Sequence, residues 1–251
     1  MRNKVPEATL IFWAIKIMAT TVGETGADYL AVHVGLGTAL TGATMAALLL
    51  AALAMQLRMR IYVPWIYWLT VVLVSVVGTQ ITDALTDTFG VSLYVSTVVF
   101  ALALAITFAL WYRSEKTLSI RTIVTRRREL FYWAAILFTF ALGTAAGDLA
   151  TEALGLGFTI GTVAFAAFIA LVATTHYVGA NAVLTFWIAY ILTRPLGASL
   201  GDLLAQSRAY GGLGLGTIST SLLFLCAIVV MVIFASASER RGVRAATSSE
   251  H

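Results

Sequence analysis

The fold of this chain is decided by a stretch that begins at Trp13 and ends at Asp28, WAIKIMATTVGETGAD. In it, a tryptophan is followed ten residues later by a glycine, and an aspartate comes five residues after that. The same skeleton returns three times, as Trp68/Gly78/Asp83, Trp133/Gly143/Asp148 and Trp187/Gly197/Asp202. Because self-similarity at a regular spacing is the signature of a repeat architecture, we predict four copies of one structural unit.

Each copy is accompanied by two apolar stretches of the length needed to cross a bilayer, about 20 residues. The predicted spans are residues 9–32, 38–57, 62–86, 91–112, 130–152, 156–177, 182–206 and 215–236. Two spans make one repeat, with approximate limits 8–57, 62–112, 129–177 and 182–237. We therefore predict an all-α membrane protein in which residues 1–251 form a single transmembrane domain of eight helices.

Composition excludes the other broad classes of protein. Hydrophobic residues make up 60% of the 251 residues and charged residues only 11%, against roughly 25% charged in an average soluble domain. The surplus of basic residues does not indicate a nucleic-acid partner, because loop orientation in a membrane accounts for it. A single cysteine, Cys226, excludes a disulfide framework and a thiolate metal site.

The basic residues predict the orientation. Thirteen of the 16 lie at the termini or in loops on one side of the predicted bundle, which the positive-inside rule assigns to the cytoplasm. Both termini are then cytoplasmic. The four helices that carry the tryptophan, glycine and aspartate skeleton, which we call the marked helices, run parallel. The tryptophans are separated by 55, 65 and 54 residues, so repeats one and two map onto repeats three and four as two pseudo-symmetric halves.

Acidic residues at membrane level are the candidate functional residues. A carboxylate in hydrocarbon costs at least ~2.5 kcal/mol, so such groups normally face the bundle interior or a wet cavity. The predicted cation ligands are Glu24, Asp28, Asp83, Asp148 and Asp202, and the secondary acids are Asp87 and Glu152. For the two secondary acids in particular, an interfacial position that merely caps a helix end is the alternative.

Two basic residues, Lys16 and Arg194, lie within predicted spans and have no counterpart in the other repeats. They are either structural counter-ions or internal cations that substrate or a proton displaces. The repeated glycines, Gly23, Gly78, Gly143 and Gly197, either permit close helix contact or break the helix at a cavity. The repeated tryptophans, Trp13, Trp68, Trp133 and Trp187, fit an interfacial aromatic belt, with an inner gate as the alternative.

The chain resembles a family of bacterial membrane proteins with four tandem two-helix repeats, each carrying a characteristic tryptophan. The resemblance rests on Lys4-Val5-Pro6-Glu7, on Thr20–Asp28 and on the three later glycine–aspartate segments. The family has long been described as of unknown function, and some members are associated with export of hard metal ions such as aluminium. The resemblance implies a multi-pass protein of the bacterial inner membrane, and transport as its activity.

We therefore expect an exporter of a hard, aluminium- or manganese-like cation, with proton exchange through the intramembrane carboxylates. Carboxylates and hydroxyls are oxygen ligands that suit hard ions. A cation channel with a ring of aspartates around a pseudo-fourfold pore is the nearest alternative, and a membrane-embedded enzyme or a structural membrane protein is more remote. We expect the lipid bilayer, an inorganic cation and protons as partners, with no catalytic residues, no cofactor and no nucleic acid. The oligomeric state stays open.

Overall fold

The computed structural model describes residues 3–33 and 38–248, and these form eight long helices. Their bounds are α1 Leu10–His33, α2 Thr38–Arg58, α3 Pro64–Asp83, α4 Leu93–Glu115, α5 Arg126–Asp148, α6 Gly157–Tyr177, α7 Ala182–Ala205 and α8 Thr217–Ser248. The extreme termini, on which the orientation prediction partly rests, lie outside the described residues. The all-helical fold and the four two-helix repeats agree with the prediction.

Seven of the eight described helices are long and apolar enough to cross a membrane, as expected of a multi-pass membrane protein. The exception is α1, which carries Lys16, Glu24 and Asp28. The first two of these charged side chains are buried against neighbouring helices and Asp28 is half-buried. The composition of α1 is therefore that of an inner helix of the bundle.

The marked helices form a closed inner ring in the order α1, α3, α5, α7, with α7 packed back against α1. The other four helices lie outside this ring, and each packs chiefly on the marked helix of the next repeat: α2 on α3, α4 on α5, α6 on α7 and α8 on α1. Exposed outer side chains such as Leu102, Val163 and Val230 are apolar. A helix whose outward surface is apolar is suited to lipid contact.

The ring is closed by its four glycines. A Cβ atom added to Gly23, Gly143 or Gly197 would lie 2.5 Å from the Cβ of Ser75, Arg194 or Thr20, respectively, on the next inner helix. The equivalent distance from Gly78 to Phe140 is 2.9 Å. In each case the contacted residue lies three positions before the repeat glycine of its own helix. The same contact therefore recurs around the ring, at Ser75, Phe140, Arg194 and Thr20. All four helices run unbroken through these glycines, so the glycines act here in close packing, which is the first of the two predicted roles.

Two π-helical turns follow the repeat aspartates of α3 and α5, at Ala84–Thr88 and Leu149–Ala153. In the described parts of α1 and α7 no such turn follows the aspartate. The turns extend α3 and α5 at the end of the bundle where the aspartates lie, which we call the acidic end. The opposite end, where the inner helices begin, is called the aromatic end.

Gly197→Ala should destabilise the protein by roughly 1–3 kcal/mol, because the added methyl group overlaps Thr20 and forces α1 and α7 apart. The matched control is Gly42→Ala in α2, where no atom lies within 4 Å of the added Cβ. That change should be neutral or stabilising by about 0.5–1 kcal/mol. Thermal unfolding of the detergent-solubilised variants measures both effects, and equal stability of the two variants would contradict the closed ring.

Candidate functional site: a buried ion pair in the inner ring

The inner ring is filled with side chains at its aromatic end. The residue before each repeat tryptophan contacts the tryptophan of the next inner helix. The ring centroids are 5.5 Å apart for Phe12 and Trp68, 5.6 Å for Tyr67 and Trp133, 6.2 Å for Tyr132 and Trp187, and 5.5 Å for Phe186 and Trp13. The hydroxyls of Tyr67 and Tyr132 share a hydrogen bond of 2.5 Å.

This aromatic layer corrects the prediction of an interfacial belt. Trp68, Trp133 and Trp187 are nearly completely buried, and Trp13 is partly buried. Their partners are the aromatic residues one position earlier in the neighbouring repeat, which a search for tryptophans alone does not reveal. The layer closes the centre of the ring in this conformation, as the alternative of an inner gate requires.

A second layer lies about one turn beyond the aromatic one, seven residues before each repeat glycine. Its members are Lys16, Val71, Ile136 and Tyr190, and none has measurable exposure. The Lys16 ammonium lies 3.9 Å from the centre of the Phe140 ring and 4.3 Å from that of Tyr190. Within the described part of the chain, its Nζ atom has no hydrogen-bond acceptor. In the described structure the faces of the Phe140 and Tyr190 rings are the contacts of this buried amino group, and such a face attracts an ammonium.

The Arg194 guanidinium binds groups from the three other inner helices. Its Nη2 donates to the Glu24 carboxylate at 2.7 Å, to the Thr144 hydroxyl at 2.7 Å and to the Thr79 hydroxyl. Its Nη1 donates to the Thr20 carbonyl at 3.4 Å. Arg194 has no measurable exposure, and Glu24 is 6% exposed. The structure therefore joins two predicted charged residues, Glu24 and Arg194, in one buried ion pair at the centre of the ring.

Gly143 makes room for this arginine. A Cβ at Gly143 would overlap the Cβ and Cγ atoms of Arg194. Pro195, the next residue, also packs against Gly143. A side chain on α5 at this level would therefore displace the arginine from its place among the inner helices.

The four repeat aspartates lie one turn beyond Glu24, at the acidic end. Asp202 is buried, whereas Asp28, Asp83 and Asp148 are partly exposed. Each of the four carboxylates is close enough to Glu24 to be repelled by its charge. Glu24 is therefore the one of these five acids that pairs with Arg194, and it lies one turn nearer the aromatic end than the repeat aspartates.

The two secondary acids, Asp87 and Glu152, are exposed within the π-helical turns. This position fits the interfacial alternative considered for them. Among the described residues, no three His, Cys, Asp or Glu side chains are grouped closely enough to hold a metal ion. The five predicted cation ligands therefore lie in one part of the bundle, but the described structure does not bring three of them close enough to bind one metal ion together.

The chain matches the model of a repeat family described as Repeat of Unknown Function (DUF347). The four matches cover residues 11–62, 66–117, 131–180 and 185–241. The chain belongs to the DUF347 repeat family. Each match covers one marked helix and the outer helix that follows it, which agrees with the suspected four-repeat family. No curated protein matches the chain, and no solved structure does.

The sequence pattern of this DUF347 protein did not predict one buried polar cluster. Glu129, at the start of α5, is 1% exposed, and it pairs with Lys4 and accepts a hydrogen bond of 3.2 Å from Gln56. The backbone of Lys4 also donates to Ile123 at 3.0 Å. Glu129 resembles a loop residue because it follows Arg126–Arg128, and its burial depends on how the segment before α1 packs, which no local pattern shows.

Glu24→Gln should destabilise the protein by about 3–5 kcal/mol, because it leaves the Arg194 charge buried without a counter-charge. Glu115→Gln is the matched control. Glu115 also pairs with an arginine, Arg128, but the side chains are 15% and 22% exposed, and water screens such a pair to roughly 0.2–1 kcal/mol. Equal losses in thermal unfolding would show that burial does not distinguish the two pairs.

Proposed function

We propose that this protein is a transporter of hard inorganic cations in the bacterial inner membrane, and that it carries them out of the cell. The observation that carries the proposal is the cluster of repeat carboxylates that leads to the buried Glu24–Arg194 pair. Buried charged groups in a membrane bundle mark ion pathways because they are costly to keep there. The carboxylate and hydroxyl oxygens are ligands for hard ions.

Eight membrane crossings follow if α1 is the inner helix that the others shield from lipid. The basic residues at the ends of α2 and α4 and at the start of α5 all lie at the aromatic end. The positive-inside rule therefore places that end, with both termini, in the cytoplasm. The acidic end then faces outward, and the two halves that comprise repeats one and two and repeats three and four move relative to each other during transport.

A transporter accounts for the filled axis better than a channel does. Two successive layers of the inner ring contain large, completely buried side chains. The first layer contains Lys16 and Tyr190, and the next contains Phe140 and Arg194. A cation must therefore wait for the helices to rearrange, as in alternating access. Proton exchange fits the carboxylate cluster, because a proton and a metal ion compete for the same oxygen atoms. The chemistry proposed is transport, without a catalytic step or a cofactor.

The fourfold arrangement of the aspartates keeps a cation channel as the second candidate. A parallel ring of acids around a pore is the arrangement that cation channels use. The two candidates differ in rate and in saturation. Single-channel currents across a planar bilayer that contains the purified protein would favour the channel, whereas slow, saturable flux without such currents favours the transporter.

Asp28→Asn and Asp148→Asn should each reduce manganese flux into proteoliposomes at least tenfold, because each removes one charge from the cluster next to Glu24. Asp87→Asn removes the same charge from an exposed π-helical turn and should retain most of the flux. Thermal unfolding of each variant checks that the fold is kept. Unchanged flux in both cluster variants would contradict the proposed pathway.

A further inference from the structure

We infer that the oxygen atoms around Arg194 form a cation-binding site that the guanidinium itself occupies in this conformation. The inference deepens the proposed function, on which it rests, by naming the place where the transported ion loses its water. Four oxygens converge on Arg194: a carboxylate oxygen of Glu24, the Thr20 carbonyl and the hydroxyls of Thr79 and Thr144. They come from α1, α3 and α5, so the site exists only where the inner helices meet.

The two threonine hydroxyls are oriented as cation ligands. Thr79 donates its own proton to the Ser75 carbonyl at 3.1 Å, and Thr144 donates to the Phe140 carbonyl at 3.1 Å. Each hydroxyl has one proton to give, so its remaining lone pairs face the guanidinium. A hydroxyl oxygen oriented in this way is able to coordinate a hard cation in place of an N–H donor.

The arginine is held on one edge only. Its Nη1 and Nη2 atoms have acceptors, whereas the buried Nε has no partner among the described residues. Lys16, a second buried cation, contacts the same Phe140 ring, whose centre is 5.8 Å from the Arg194 guanidinium carbon. Among the described residues Glu24 is the one carboxylate that pairs with the guanidinium, so departure of the guanidinium breaks a single ion pair.

The path of departure leads toward the acidic end. There Asp28, Asp83 and Asp148 lie within electrostatic range of Arg194. An incoming ion can therefore take the four oxygens while the guanidinium moves one turn to the aspartates. A monovalent ion replaces Arg194 without changing the charge of the site, and a multivalent ion needs one or more of the aspartates as additional ligands. The tethered guanidinium thus competes with the transported ion for one place.

The test uses purified Arg194→Ala protein and thermal unfolding in added sodium, manganese or guanidinium chloride, with choline chloride as the ionic-strength control. Sodium or manganese should raise the midpoint of this variant by roughly 5–10 °C at a hundredfold excess over the dissociation constant. Wild type should respond much less, because Arg194 fills its site. Adding Glu24→Gln to the Arg194→Ala variant should remove the response.

If guanidinium stabilises the variant and neither sodium nor manganese does, the inference is overturned. The space left by Arg194 would then bind a guanidinium group but no metal ion, and Arg194 would be a structural counter-ion. A response to sodium or manganese that survives Glu24→Gln would also overturn it.

A second measurement covers the event that Arg194→Ala does not fold. In a Cys226→Ser background, a thiol introduced by Thr144→Cys is labelled with a small thiol reagent in the presence or absence of sodium and manganese. At ion concentrations high enough to displace Arg194 from the site, binding should change the labelling rate at least threefold. Thr139→Cys on the same helix is the control, because the buried Thr139 hydroxyl has no hydrogen-bond partner in the described structure. Identical ion responses at both positions, or none at either, would contradict the site.

These binding measurements do not require transport, so the two proposals fail separately. Ion binding in the Arg194→Ala variant without flux in wild type would keep the site and reject the transporter. Flux that depends on Asp28 and Asp148, without ion binding around Glu24, would keep the transporter and reject the site.

Discussion

Four inner helices approach one another so closely at Gly23, Gly78, Gly143 and Gly197 that a methyl group at any of them would overlap the neighbouring helix. The rest of the structure depends on this contact. It brings Arg194 within reach of oxygen atoms on three other helices, and it stacks the layer that contains Lys16 beneath them. The centre of the ring is filled by buried side chains such as Lys16 and Arg194. An ion that crosses the ring must therefore first displace these side chains.

The packing contacts of the inner ring have approximate fourfold symmetry, whereas its charged residues do not. Glycine contacts and tryptophan contacts repeat around all four inner helices. At the levels of Lys16, Arg194 and Glu24 the other repeats carry uncharged residues, including Val71, Phe140 and Thr79. A symmetric scaffold thus holds one asymmetric ion pair. The symmetry gives the pair its closed surroundings, and the asymmetry makes it a single site instead of four.

The sequence predicted the scaffold well because a spacing repeated four times is a strong signal. The tryptophan, glycine and aspartate positions predicted the four repeats, the parallel inner helices and the concentration of acids at one end. The sequence did not predict which side chains meet across the ring. Glu24 and Arg194 are 170 residues apart, and nothing near either residue indicates the other. The burial of Glu129 by Lys4 and the interlocking of the tryptophans also depend on contacts between repeats. Exposure of Asp87 and Glu152 depends on π-helical turns that the apolar pattern does not reveal.

Reversible locking of the ring tests the central claim, which is that the closed inner ring must open for a cation to pass. Gly147→Cys and Ala198→Cys place two thiols on α5 and α7, where a Cβ at position 147 lies 3.9 Å from the Cβ of Ala198, a separation that a disulfide spans without moving the helices. In a Cys226→Ser background, manganese flux into proteoliposomes is measured on one preparation, first oxidised and then reduced. The account predicts that oxidation abolishes flux and that reduction restores it. Equal flux in the two states, with the disulfide verified, would contradict it.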